Sequence, residues 1–223
     1  MRPVLIFGAS RGVGLLLAQQ LRVDGVPVFA MLRPGAERAD LDTQGVHVIS
    51  GDAFSFAEVE RAFALPLAEF DVVSTLGGRG APGRYADDEG NINVIDCAKV
   101  HKVRRCVLVT SIGCGEMAPY RSERAIAAFG AAVDAKTRAE EHLKRTIPSG
   151  TVIRPGGLRS EPATGRGILT TDPAMHGFIN RADVADLVVR ALRDDATTGR
   201  AFAAVDAEEA KSDNPIEPFP LAA

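Results

Sequence analysis

The sequence contains no apolar run approaching the roughly 18 residues needed to cross a bilayer, so no membrane span is expected. Val4-Leu5-Ile6-Phe7 is too short for the core of a secretion signal, and no small-residue cleavage site follows it. Cysteine is scarce: Cys97, Cys106 and Cys114 are odd in number and show no metal-ligand spacing. A disulfide framework is excluded, no metal centre is expected, and a reducing, cytoplasmic location is the expectation. Neither sign of charge dominates, with 26 Lys and Arg against 29 Asp and Glu and a formal net charge of −3. This balance excludes whole-surface attraction to nucleic acid or to an anionic membrane, though not a local cationic site. What is present is a chain of 223 residues, 46% of them hydrophobic. A chain of that size buries about 70–75% of its unfolded surface in one core without covalent staples.

Short runs rich in Val and Ile recur along the chain with room for a helix between them. They are Val4–Phe7, Val26–Leu32, Val46–Ser50, Asp71–Leu76, Cys106–Thr110, Thr151–Arg154 and Ala201–Val205. Strands without polar alternation belong to a sheet covered on both faces. The intervening helical patterns start with Leu15, Leu16, Ala18, Gln19 and Leu21 and end near Asp24-Gly25. Ser55-Phe56-Ala57-Glu58 has the spacing of a capping box. Asn93–Val100, Ala131–Arg145 and Ala182–Leu192 follow, the last with Val184, Leu187, Val188 and Leu192 at helical spacing. Strand–helix alternation from the first residues predicts an α/β fold, a doubly wound parallel sheet of the Rossmann type in a single domain. Residues 77–91 and 161–175 read as loops. The domain is expected to occupy residues 1–210, with a small C-terminal substrate region. Residues 211–223, with Pro215, Pro218 and Pro220, are expected to form an extended or mobile tail.

Gly8-Ala9-Ser10-Arg11-Gly12-Val13-Gly14 follows the first strand and opens the first helix. A dinucleotide site needs a tight turn there, close backbone approach to a pyrophosphate, and helix N–H groups aimed at that anion. Gly8, Ser10, Arg11, Gly12, Val13 and Gly14 are therefore candidate cofactor residues. An NAD site places a carboxylate at the tip of the second strand; here the strand ends in Arg33, and Arg11 lies within the turn. Two guanidiniums facing a 2′-phosphate predict NADP(H), with about 10- to 100-fold discrimination from a charge-assisted bond of roughly 1.5–3 kcal/mol. Asp52 ends the third strand at the expected adenine edge. Leu76 and Gly77 end the fourth, where small residues let the backbone approach the cofactor's middle. Pro155-Gly156-Gly157 ends the sixth, in reach of the carboxamide.

With these residues the chain resembles the short-chain dehydrogenase/reductases, in the atypical NAD(P)H-binding branch, and within it the flavin reductase/biliverdin-IXβ reductase group. The resemblance runs from about residue 2 to residue 206. Besides the glycine turn it rests on Gly51-Asp52, Val109-Thr110-Ser111, Lys136 with Ala139-Glu140, Ile153-Arg154-Pro155-Gly156-Gly157 and Arg181-Ala182-Asp183-Val184-Ala185. It implies hydride transfer from NADPH to a planar conjugated acceptor, with Thr110 at the cofactor, Ser111 as the family's catalytic serine and Lys136 as the lysine on the nicotinamide ribose. The family's tyrosine stands four residues before that lysine; here the position is Ala132. A positioned general acid is worth about 10²–10⁴ in rate, and its loss disfavours a localised alkoxide more than a delocalised acceptor such as a flavin, bilin or quinone.

Tyrosine occurs only at Tyr85 and Tyr120. Tyr120, Arg159 and His176 lie in loops and are candidates for the acceptor pocket, against plain surface packing. Cys114 carries no expected role. The expected partner is a small conjugated acceptor, with the protein a monomer or homodimer. Two other classes stay open: a non-catalytic NADP(H)-binding sensor or assembly factor, and a nucleotide-sugar epimerase or dehydratase. The short chain after Gly157 counts against the last.

Overall fold

A computed structural model of the protein describes residues 1–222. The chain runs β1 (Val4–Phe7), α1 (Gly12–Val23), β2 (Val28–Leu32), α2 (Ala39–Thr43), β3 (His47–Ser50), α3 (Phe56–Phe63) and β4 (Asp71–Ser74). It continues with α4 (Asn91–Val100), β5 (Cys106–Val109), α5 (Glu123–Thr146), β6 (Thr151–Pro155), β7 (Gly157–Arg159), β8 (Gly167–Thr170), β9 (Phe178–Asn180), α6 (Arg181–Arg193) and β10 (Ala201–Asp206). The main sheet has eight strands in the order β3-β2-β1-β4-β5-β6-β10-β8. All its neighbours are parallel except β10 and β8. The doubly wound Rossmann-type sheet expected from the apolar runs is the fold observed.

The apolar runs lack alternation because each face of the sheet has its own cover. Val4 and Ile6 of β1 pack with Leu17 of α1 and Val184, Leu187 and Val188 of α6. Leu5 and Phe7 point the other way, against Val59 and Phe63 of α3, Ile95 of α4 and Leu143 of α5. The order of strands reverses between β1 and β4. At that point the crossovers diverge to opposite faces, leaving a crevice at the carboxyl ends of the strands.

The structure departs from the sequence expectations at several places. Ser55 precedes α3, but its side chain makes no capping bond. Glu58 instead accepts from the backbone N–H of Asp52 at 2.8 Å, so it ties the helix to the preceding turn. Residues 77–91 are not all loop: Ala86–Gly90 forms a π-helical turn leading into α4. Helix α5 starts eight residues before its expected onset, because Ser122 caps it by accepting from Ala125 N–H. Residues 161–175 contain β8, an antiparallel edge strand, and β7 pairs with β9 in a separate two-stranded ribbon. Residues 211–222 are extended, and they are held to the body. Lys211 bridges to His176, Asn214 donates to Asp172, and the Phe219 ring packs on Phe202 at 4.8 Å between centroids.

Candidate active site

A cleft of about 500 Å³ opens at the carboxyl ends of the strands, at the point of reversal. One half is built on the glycine turn. Gly8 has φ +91°, and a Cβ there would lie 2.7 Å from Thr75 Oγ1. Gly12 has φ +61°, a left-handed conformation that L side chains resist. Helix α1 begins at Gly12 with no side-chain cap and no acidic residue in its first turn, so its leading N–H groups remain free to meet an anion. Ser10, Arg11 and Val13 line the cleft beside them, with Arg33 and Asp52 further along. Neither Arg11 nor Arg33 pairs with a carboxylate among the described residues. A turn that Cβ atoms would close, a bare helix end and two unpaired guanidiniums together fit a dinucleotide phosphate.

The other half is built from side chains held by buried partners. Thr110 and Ser111 follow β5, Lys136 reaches in from α5, and Pro155 ends β6; all four line the cleft, as do Leu76 and Gly77. The ammonium of Lys136 lies 2.8 Å from Asp87 Oδ1 and 3.5 Å from the Leu76 carbonyl. Asp87 is buried, and its second oxygen accepts from Gly78 N–H at 2.7 Å. Asn91, also buried, donates to the carbonyls of Asp87, Ala86 and Leu76 and accepts from Ser74 Oγ. Beneath Ser111, Thr110 donates to Glu140 at 2.5 Å, and Glu140 pairs with the buried Arg154 at 2.7 Å. Arg154 also forms a two-pronged contact to Glu116 at 2.8 and 2.9 Å. Burial opposes the Arg154 charge, but the two carboxylates outweigh it and raise its pKa. Ser111 lines the cleft, and its hydroxyl makes no hydrogen bond to the described residues.

Other predicted residues lie elsewhere or have a packing reason. A Cβ on Gly14 would sit 2.4 Å from the Gly8 carbonyl, so Gly14 allows α1 to pack on β1 rather than lining the cleft. Gly156 and Gly157 do not line it either: Cβ atoms there would meet the Gly177 carbonyl at 2.4 Å and the Phe178 ring at 2.5 Å. Tyr120 ends the 3-10 turn Gly115–Tyr120 and is exposed, outside the cleft. Arg159 pairs with Glu209 at 2.7 Å and stacks on Phe178. His176 is exposed and bridged to Lys211. Burial, then the negative charge of Glu140, push the Cys114 thiol up to about 12. Sequence reasoning missed Asp87 and Asn91, which sit in a stretch read as loop. It also passed over Arg79 and Arg181, further cations at the cleft; Arg181 donates to Ser160 Oγ at 2.8 Å. A Cβ on Gly12 would lie 3.7 Å from the Arg181 side chain.

No helix among the described residues is long and apolar enough to cross a membrane, and none of their His, Cys, Asp and Glu side chains form a metal-binding group.

Comparison with known proteins agrees with this architecture. A family model described as NAD(P)H-binding matches residues 8–195. The solved structure of ChuY, an anaerobilin reductase from Escherichia coli O157:H7, superposes with a TM-score of 0.84 at 33% identity, over 97% of this chain and 100% of that one. The uncharacterized sugar epimerase YhfK of Bacillus subtilis is 27% identical over 204 residues, 89% of this chain and 92% of YhfK. Sanguinarine reductase of Eschscholzia californica is 30% identical over 149 residues, which are 65% of this chain and 52% of that protein.

Proposed function

The chain belongs to the NAD(P)H-binding family, and from that premise we propose that it is an NADPH-dependent reductase of a conjugated acceptor, a flavin, a bilin or a quinone. The observation that carries the proposal is the continuity of one cleft, from the glycine turn with Arg11 and Arg33 to Ser111 and Lys136. The likeness to ChuY over nearly all of both chains supports the reductase class.

When bound, the nicotinamide cofactor supplies a hydride. Gly8, Ser10, Gly12 and Val13 receive its pyrophosphate at the bare end of α1, and Arg11 with Arg33 takes the 2′-phosphate. Lys136, fixed by Asp87 and the Leu76 carbonyl, holds the ribose hydroxyls and adds positive potential. Ser111 offers its hydroxyl to the acceptor, and the Thr110–Glu140–Arg154 chain beneath keeps that turn in place. Ala132 lies on α5 one turn before Lys136, so no phenol donates a proton from that position. The acceptor's proton comes from water, which suffices when the incoming charge spreads over a conjugated ring. The protein contributes proximity and orientation rather than a strong acid.

The test mixes the purified protein with NADPH and follows cofactor absorbance with FMN, a bilin and several quinones in turn. Oxidation with at least one of these acceptors is expected. NADPH binding without turnover on any of them overturns the reductase reading and favours a redox sensor.

A further inference from the structure

Arg181 opens α6 and lines the cofactor cleft close to the glycine turn, where a Cβ on Gly12 would meet its Cδ and Nε at 3.7 Å. Both of its hydrogen bonds leave from one nitrogen. Nη1 donates to Ser160 Oγ at 2.8 Å and to the Leu158 carbonyl at 3.5 Å. Among the described residues no carboxylate pairs with this guanidinium, and Nε and Nη2 donate to nothing. These two nitrogens form one edge of a planar fork, the geometry that matches two oxygens of a phosphate. That edge begins at the atom nearest Gly12.

The anchors of Nη1 belong to the other end of the cleft. Leu158 lies in β7, which pairs with β9, and β9 runs directly into α6. Leu158 also lines the cleft. The ribbon leaves the main sheet just after Pro155, whose carbonyl accepts from Ile112 N–H at 2.9 Å, so it starts beside the Ser111 turn. The base of Arg181 is fixed as well: buried Asp183, two residues on, accepts from the N–H groups of Thr164 and Gly165 at 3.0 and 2.8 Å. Charge gives the free edge a purpose. With Arg11 and Arg33 on the 2′-phosphate, a charged pyrophosphate meets only the neutral N–H groups of the turn and of α1. Arg181 is a cation beside Gly12 with no other charge to answer.

We propose that Arg181 is a two-sided latch: Nε and Nη2 take the cofactor's pyrophosphate while Nη1 keeps Ser160 and Leu158, so that cofactor occupancy stiffens the β7–β9 ribbon beside Ser111. The inference rests on the NADPH reading above and deepens it, because it adds a positioning residue that joins the phosphate end of the cleft to the end where hydride leaves. A lysine cannot replace it, since a single ammonium on a flexible stem does not hold two partners on opposite edges.

The test reads equilibrium binding and hydrogen exchange, so no turnover is required. Titration of NADP⁺, NAD⁺ and 2′-AMP separates the phosphates, because 2′-AMP carries the 2′-phosphate and no pyrophosphate. Arg181→Met should weaken NADP⁺ and NAD⁺ by a common factor of about 10- to 100-fold and leave 2′-AMP within about twofold. In wild type, saturating NADP⁺ should slow amide exchange at residues 157–160 and 178–180 at least about threefold. Arg181→Met, saturated at a higher NADP⁺ concentration, should lose that slowing while the glycine turn keeps its own. Arg181→Lys should recover most of the affinity and none of the ribbon slowing. Ser160→Ala, which cuts the other side of the latch, should bind NADP⁺ within about threefold of wild type and slow the ribbon less. Unchanged NADP⁺ affinity in Arg181→Met, an equal loss for 2′-AMP, or ribbon slowing that survives in Arg181→Met or is fully restored by Arg181→Lys would each overturn the latch. Those outcomes leave the NADPH reading standing, whereas a wild-type protein that binds neither dinucleotide sinks both.

Discussion

The two halves of the cofactor cleft are made of different materials. The half proposed for the phosphates is backbone and unpaired cation: a turn that excludes Cβ atoms, a helix end without a cap, and Arg11 and Arg33 without partners among the described residues. The other half is side chain held by side chain, with Lys136 on Asp87, Thr110 on Glu140, and Glu140 on Arg154. A half built from unsatisfied groups gains its bonds only when an anion arrives, so it governs affinity. A half whose charges are already paired changes little on binding, so it governs position. Arg154 shows the cost of that rigidity, because a buried guanidinium is tolerable only while its carboxylates remain.

The sharpest way to break this contrast is Glu140→Ala. It leaves the buried Arg154 with only the exposed end of its network, and a loss of about 3–5 kcal/mol of stability is expected in urea unfolding. Arg33→Ala, in the other half, should change stability by no more than about 0.5 kcal/mol. Next in size, Lys136→Met should lower turnover about a hundredfold at saturating NADPH, as loss of a preorganised electrostatic group does. A rise in KM for NADPH with turnover intact would move Lys136 into the affinity half. Arg33→Ala should weaken NADPH about tenfold and NADH by less than twofold, measured by fluorescence titration at fixed salt. An equal loss for both would take Arg33 off the 2′-phosphate. The smallest effect concerns Cys114, in the rigid half. With its thiol pushed up to about 12, only about one molecule in ten thousand carries thiolate at pH 8, so iodoacetamide should leave it unmodified until the chain is unfolded. Rapid native alkylation would show that this half opens.

The same contrast explains what the sequence made legible. Strands such as β1 and β5 show as bare apolar runs because both sheet faces are covered. The glycine turn shows because its constraint is local: a positive φ at Gly8 and Gly12 leaves its mark within a few residues. The supports of the rigid half leave no such mark. Thr110 and Glu140 meet across 30 residues of chain, and nothing around Asp87 in a stretch of glycine, proline and charge announces a buried partner for a distant lysine. Gly156 and Gly157 illustrate the converse, since a glycine pair at a strand end reads as a cofactor contact, whereas Gly177 and Phe178 give each of them a packing reason of its own. Strand β8 leaves little mark in the sequence because Gly167–Thr170 is short and lies amid polar residues. Helix α5 begins ahead of its apolar periodicity because its early turns lack the buried face that periodicity detects.

The segment beyond residue 210 has a consequence unrelated to chemistry. Strand β8 is the sheet's outermost strand on that side, and an outermost strand offers its free carbonyls to any passing chain. Here Phe219 N–H occupies the Leu169 carbonyl at 2.7 Å, and its ring closes over Phe202. Asn214 and Ser212 tie the approach to Asp172. What reads as an appendage is therefore a hem on the sheet. A chain cut after Ala210 would keep its cleft and expose a raw border, and its failing would be clumping in storage rather than slow turnover.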